Sequence, residues 1–185
     1  NILNPKTRFI CVRYGNVLAS RGSVIPLFHK QIQAGGPITV TMPEMTRFLL
    51  TLNQAVDTVF AALKHAEPGE TFVPIAPSAT VMDLAKAIVG NRKIEIKING
   101  IRPGEKVHEI MISEEEIHHT IKKENYFAIK SMLPELQGNF NKADVFLKEE
   151  YSSKDSVIGF EKTIELLKKY NLLELTGENA DELLR

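Results

Sequence analysis

The chain has 185 residues, 43% of them apolar and 25% charged, with 23 Lys and Arg balancing 23 Asp and Glu. That length suits one domain with a real core rather than two full ones, and the composition is that of an ordinary soluble globular protein. Zero net charge argues against a general nucleic-acid or anionic-membrane surface. The single cysteine excludes an intrachain disulfide and a cysteine-rich metal site. No apolar run approaches the roughly 20 residues of a membrane span. These features predict a cytoplasmic protein with no nucleic-acid partner and no membrane segment.

The chain opens on Asn1 rather than Met, and no Gly-x-Gly-x-x-Gly turn occurs in it. It therefore reads as the later part of a longer protein. An apolar strand is expected over Phe9–Arg13, with Cys11 as a small buried residue in its middle. A small-residue loop carrying Arg21 follows, and then a helix over 24–34 with Ser23 as N-cap and Pro26 in the tolerated first turn. Ile25, Phe28 and Ile32 form its apolar stripe, and Gly35-Gly36-Pro37 ends it. Ile38–Thr41 reads as a short strand, Met42–Arg47 as a loop.

Thr51 and Gln54 are spaced as a capping box, and Ala55, Val56, Val59, Phe60 and Leu63 follow at helical spacing, up to about His65. Thr71–Val73 is a strand, and Thr80–Asp83 opens a helix that halts at Gly90. Ile94–Ile98 alternates with period two as a strand and feeds the loop Gly100–Lys106. Val107–Ile112 is read as helical, Ser113–Glu116 as a second helix start, and Tyr126–Ile129 as a strand. Residues 131–158 look irregular. Gly159–Tyr170 is an amphipathic helix with Phe160, Ile164 and Leu167 on one side, and an acidic tail closes the chain. Strands alternating with helices indicate α/β.

Arg21, Arg47 and Arg102 fall in predicted loops beside residues that bend or stiffen the chain. A guanidinium offers fixed, paired donors suited to phosphate oxygens. A lone loop arginine is ordinarily a solvated charge, but three that converge at one sheet edge could anchor a diphosphate. A strand-to-helix loop rich in small residues, such as 13–24, is where open α/β sheets place phosphorylated ligands. Asn16 could serve a ligand or a turn, and Glu105 a ribose or solvent. The position four residues after His108 is Ile112, so the zinc-protease pattern is incomplete. His118 and His119 read as surface residues, and no metal site is expected.

Arg13-Tyr-Gly-Asn-Val, Ser20-Arg-Gly-Ser-Val-Ile-Pro-Leu-Phe28, Met45-Thr-Arg-Phe48 and Gly100-Ile-Arg-Pro-Gly-Glu-Lys106 occur in this order. Together they resemble the nucleotide-sugar-modifying extended short-chain dehydrogenase/reductases, in particular the polysaccharide-biosynthesis group that contains UDP-N-acetylglucosamine 4,6-dehydratases. The resemblance is strong from Thr7 to Ile112 and continues more weakly to the last helix. It implies an α/β fold: the C-terminal part of a Rossmann-type parallel sheet with a smaller mixed α/β substrate-binding lobe, interleaved over 1–173 and followed by a flexible tail, 174–185.

The resemblance further implies a UDP-sugar substrate, NADP or NAD as cofactor, and a homo-oligomeric parent. The reaction would oxidise C4 of the sugar by hydride transfer, eliminate water across C5–C6 and return the hydride to C6, leaving a 4-keto-6-deoxy sugar. On this basis Tyr14 and Gly15 would border the cofactor. Asn16, Arg21, Ser23, Val24, Thr39, Arg47, Arg102 and Glu105 would hold the substrate, with Arg47 and Arg102 on phosphate and Glu105 on ribose. The Tyr-x-x-x-Lys helix of the family is absent from these residues, so no catalytic group is expected here and the chain alone should be inactive. The alternatives are a UDP-sugar 4-epimerase of the same superfamily and a non-catalytic nucleotide-sugar-binding module.

Overall fold

The computed structural model describes residues 3, 4, 6–136 and 144–174. In chain order the elements are β1 (Cys11–Val12), α1 (Val24–Gln33), β2 (Ile38–Val40), β3 (Thr46–Phe48), α2 (Leu52–His65), β4 (Thr71–Pro74), β5 (Ser78–Thr80) and α3 (Val81–Val89). There follow β6 (Ile96–Ile98), β7 (Ile110–Ile112), the single turn α4 (Glu114–Ile117), β8 (Thr120–Lys123), β9 (Tyr126–Ile129), β10 (Tyr151–Ser152) and α5 (Phe160–Lys169). These belong to two compact units between which the chain passes repeatedly. The first comprises residues up to Gly15 with Leu50–Ala76 and Ile110–Ser152, and the second comprises Asn16–Leu49, Pro77–Glu109 and the residues from Ser153 onward.

The first unit holds a four-stranded sheet in the order β1-β4-β9-β8, in which β1 and β4 are parallel and the other pairs antiparallel. Thr51 caps α2 as its spacing predicts: its Oγ1 accepts from Gln54 N–H at 3.1 Å, and Gln54 Oε1 accepts from Thr51 N–H at 2.9 Å. Ala62 and Ala66 pack with Phe72 and Ala128 in a small core that Ile10, Val12 and Tyr126 border. Ile10 and Val12 take that face of the sheet, so Cys11 between them turns to the other one. The cysteine is exposed, not buried as expected.

Beside this core lies an ion network. Glu70, 1% exposed, receives Lys123 Nζ at 3.0 Å and Lys130 Nζ at 2.7 Å, and Lys130 also reaches Glu67 at 2.8 Å. Burial works against the Lys130 ammonium, but Glu67 and Glu70 outweigh it and its pKa stands above the ordinary value. Arg13 makes a two-pronged pair with Glu116 at 2.7 and 2.9 Å and donates to Met111 O, which fixes the loop after β7. That pairing holds the Glu116 carboxyl below its usual range.

The second unit is organised around a larger core. Ile25 and Phe28 of α1, Ile38 and Val40 of β2, Leu84 and Ile88 of α3, and Leu167 of α5 meet in it, each 2% exposed or less. α3 begins where expected, with Thr80 Oγ1 accepting from Asp83 N–H at 2.9 Å. β2 pairs with β6 in parallel, while β3 and β5 pair antiparallel with Arg47 opposite Ala79.

Several local readings are corrected. Arg47 sits on a strand, because Thr46 and Phe48 alternate inward and the β5 segment supplies a partner 32 residues away. Residues 110–112 are a strand rather than a helix, drawn into pairing with Tyr151 and Ser152. Nothing local in Ile-Met-Ile announces so distant a partner. β5 was not anticipated for the same reason, and β8 was missed although its partner β9 follows after two residues. Ser23 occupies the N-cap position with extended backbone, yet makes no side-chain cap bond. The expected 174–185 tail lies outside the described residues apart from Glu174, which stands 3.9 Å from Arg92.

Candidate nucleotide-sugar site

A cleft of about 290 Å³ opens within the second unit. Its walls come from loop 16–23, the first turn of α1, the end of β2, Arg47 of β3 and loop 99–105. Asn16, Ser23, Val24, Thr39, Arg47, Arg102 and Glu105 all line it. Four segments distant in sequence therefore bring seven of the eight expected substrate residues to one cavity. Arg21, the eighth, is exposed and does not line the cleft, and neither do Tyr14 and Gly15, which belong to the first unit.

Loop 16–23 reaches its shape through two left-handed residues, Ala19 at φ +56° and Gly22 at φ +75°. The glycine adopts this freely, whereas the alanine pays a steric cost for it. The loop delivers Ser23 to the start of α1, a ten-residue helix with no acidic residue in its first turn. Ser23 Oγ is buried and makes no hydrogen bond. A free hydroxyl at a helix N-terminus favours an anionic or hydrogen-bonding ligand.

Thr39 is held by a clamp that the sequence reading missed. Gln31 Nε2 donates to Thr39 Oγ1 at 2.7 Å, and Gln31 Oε1 accepts from Thr39 N–H at 3.0 Å. The side chain of Gln31 thus stands in for a neighbouring strand along the open edge of β2. Asn99, whose N–H donates to Val40 O at 3.0 Å, is a further polar wall residue that sequence reasoning did not single out. It lies one residue before a recognised loop motif, which was the available signal.

Loop 99–105 owes its form to Arg102-Pro103-Gly104-Glu105. Proline at the second position, glycine at φ +83° in the third and a 3.1 Å bond from Glu105 N–H to Arg102 O make a type II turn. Glu105 also accepts from Arg102 N–H at 3.1 Å, so its carboxylate closes the turn from the other side. The Arg102 side chain is left exposed at the cleft.

Arg47 is placed differently. Its Nη1 donates to Thr46 O at 2.7 Å and Val107 O at 3.2 Å, its Nη2 donates to Lys106 O at 3.0 Å, and Glu109 lies 3.5 Å from its Nε. Most of its N–H groups are thereby engaged. Arg47 ties β3 to loop 106–107 and presents a half-buried positive charge more than a free fork of donors. Beneath it Thr46 Oγ1 lies 2.8 Å from His108 Nδ1 and 2.6 Å from Ser153 Oγ, while Ser153 Oγ accepts from Glu109 N–H. Among the described residues no group of three or more His, Cys, Asp or Glu is gathered as metal ligands, and no helix is long and apolar enough to cross a membrane.

A family model described as "Polysaccharide biosynthesis protein" matches residues 1–131, and the chain belongs to that family. It is 46% identical over 127 residues to a UDP-N-acetylglucosamine 4,6-dehydratase (inverting) of Campylobacter jejuni, covering 68% of this chain and 37% of that protein. It is 40% identical over 187 residues to a UDP-glucose 4-epimerase of Rickettsia bellii, covering 98% of this chain and 50% of that one. The crystal structure of Pen from Bacillus thuringiensis superposes with a TM-score of 0.80 at 35% identity, covering 90% of this chain and 52% of that one. The chain thus spans about half the length of relatives it matches end to end. Its fold is the one expected, a partly parallel Rossmann-type α/β sheet joined to a mixed α/β lobe.

Proposed function

We propose that this chain holds the UDP-sugar of a nucleotide-sugar-modifying enzyme, and that the enzyme is a UDP-N-acetylglucosamine 4,6-dehydratase of polysaccharide or glycan biosynthesis. The observation that carries this reading is the convergence of Asn16, Ser23, Thr39, Arg47, Arg102 and Glu105 on one cleft of a single unit. The diphosphate lies against Arg102 and the charge of Arg47, with Ser23 and the start of α1 as further donors. Glu105 accepts from the ribose, and Thr39 and Asn99 border the nucleoside.

NAD or NADP would supply the hydride chemistry. The residues present do not make its site, because no strand of this chain runs through a Gly-x-Gly-x-x-Gly turn into a helix. Tyr14 and Gly15 would at most border the cofactor. The part assigned to this chain is binding and orientation of the sugar nucleotide, while the oxidation and the loss of water belong to groups beyond these residues. The epimerase reading rests on the Rickettsia bellii relative, whose match runs over nearly the whole chain.

Two measurements test this. Isothermal titration of the 185-residue chain with UDP should give saturable one-site binding, and no heat from a folded chain would remove the site assignment. The full-length parent incubated with UDP-N-acetylglucosamine should yield a product lighter by one water. An unchanged mass with an inverted C4 would replace the dehydratase by the epimerase.

A further inference from the structure

Thr39 makes two hydrogen bonds to one side chain, and together they fix the sense of a third. In β2 the N–H of Ile38 donates to Glu95 O at 2.9 Å and Val40 O accepts from Asn99 N–H at 3.0 Å, so residues 38 and 40 use the edge that faces β6. By the alternation of a strand, the Thr39 N–H points to the other edge, where Gln31 Oε1 takes it at 3.0 Å. A backbone N–H can only donate, so the Gln31 atom facing it is the carbonyl oxygen. The other end of the amide, 2.7 Å from Thr39 Oγ1, is therefore the NH2 group, which also can only donate.

The Thr39 hydroxyl thus receives a hydrogen bond on its oxygen, and among the described residues no acceptor takes its own proton. Thr39 is half-buried and lines the cleft, so that proton is available to a ligand. An unclamped hydroxyl rotates to suit its neighbour, donating to a carbonyl or accepting from an amino group. The clamp settles it as a donor, which matters only where competing ligands offer opposite groups. The cleft also has an apolar wall for the flat face of a base, because Val40, Met45 and Leu84, each 4% exposed or less, line it too. Uracil and cytosine share the carbonyl O2 but differ at the neighbouring exocyclic group, the carbonyl O4 in one and the amino N4 in the other.

We propose that Gln31 is a positioning residue for nucleobase specificity. By donating to Thr39 Oγ1 it sets the Thr39 hydroxyl as a donor toward O4 of uracil. A cytosine amino group in that place would meet a second donor and stay unpaired, which is a selection against the wrong base as much as for the right one. The inference rests on the reading of the cleft as a UDP-sugar site, and adds what keeps a CDP-sugar out of it.

The test is isothermal titration of the 185-residue chain with UDP, CDP and inorganic pyrophosphate at about pH 8, where a carboxylate is ionised. UDP should bind at least about tenfold tighter than CDP. Gln31→Glu keeps both clamp bonds but turns the Thr39 proton toward the new carboxylate, so that Oγ1 faces the ligand as an acceptor. The added charge weakens UDP and CDP alike and cancels in their ratio, which should fall at least about tenfold. Thr39→Val should lower UDP affinity by a similar factor and leave that for pyrophosphate unchanged, while Thr39→Ser should keep the wild-type ratio. A ratio that Gln31→Glu and Thr39→Val leave untouched, even with a lower Tm, would overturn the inference and reduce the clamp to a structural contact. Equal binding of UDP and CDP by the unaltered chain would do the same with the cleft assignment intact. If UDP did not bind at all, the cleft assignment itself would fall, and the inference with it.

Discussion

Arg102 and Arg47 show how two arginines with the same expected role acquire different ones. The type II turn leaves the Arg102 guanidinium exposed at the cleft, whereas Arg47 spends most of its donors on backbone oxygens. Arg102→Ala should therefore lower UDP affinity at least about tenfold, roughly 1.4 kcal/mol, with no loss of thermal stability. Calorimetry and a melting curve on the same sample check both halves. Arg47→Ala should lower affinity and stability together, because loop 106–107 loses its tether. Ala19 gives a prediction of opposite sign. Its φ of +56° suits glycine, so Ala19→Gly should stabilise the chain by up to about 1 kcal/mol in urea unfolding.

His29 is a residue whose role only the fold discloses. It is 4% exposed, and its Nε2 lies 2.9 Å from Leu172 O, so Nε2 carries the proton and donates it. Burial pushes its pKa below the usual value against the partial support of that carbonyl. Below about pH 6.5 the unfolded chain takes up a proton that the folded chain resists, so stability falls as pH drops through that point. His29→Gln should flatten the fall below about pH 6.5 in pH-dependent denaturation, at some cost in stability at neutral pH.

Among the elements, helix starts were legible and short strands were not. Thr51 with Gln54 and Thr80 with Asp83 declared α2 and α3, because a cap is local chemistry that needs only neighbours three residues apart. Thr51→Ala should cost about 1 kcal/mol, read by urea unfolding. The strands at 46–48, 78–80 and 110–112 are three residues each and have partners 30 or more positions away. Too short to show a period of two, they become strands through pairing. The ion network of the first unit belongs to this scale as well. Replacing Glu70 by Gln leaves Lys130 and Lys123 without a buried countercharge and should destabilise the protein by about 3 kcal/mol.

For the whole molecule, ligand binding and folding are linked. Since the cleft is built from five separated segments, UDP at a hundred times its Kd should stabilise the folded chain by about 2.7 kcal/mol, seen as a rise in Tm. Two units interleaved along one chain also explain why a single domain was the natural reading of length. Neither unit is a continuous stretch, so no linker or shift of composition marks a boundary.

By itself the sequence determined the α/β class, the principal helices, the caps of α2 and α3, the loop at 100–106 and most of the residues that line the candidate cleft. These depend on periodicities and spacings within a few residues. Tertiary structure decided which of those residues meet. It gathered Asn16, Thr39, Arg47 and Arg102 around one cavity, left Arg21 outside it, clamped Thr39 with Gln31, and turned the apolar side of α2 outward. A stripe of Val, Phe and Leu at helical spacing states only that one face of a helix is apolar. Which way that face turns depends on the elements the helix is folded against.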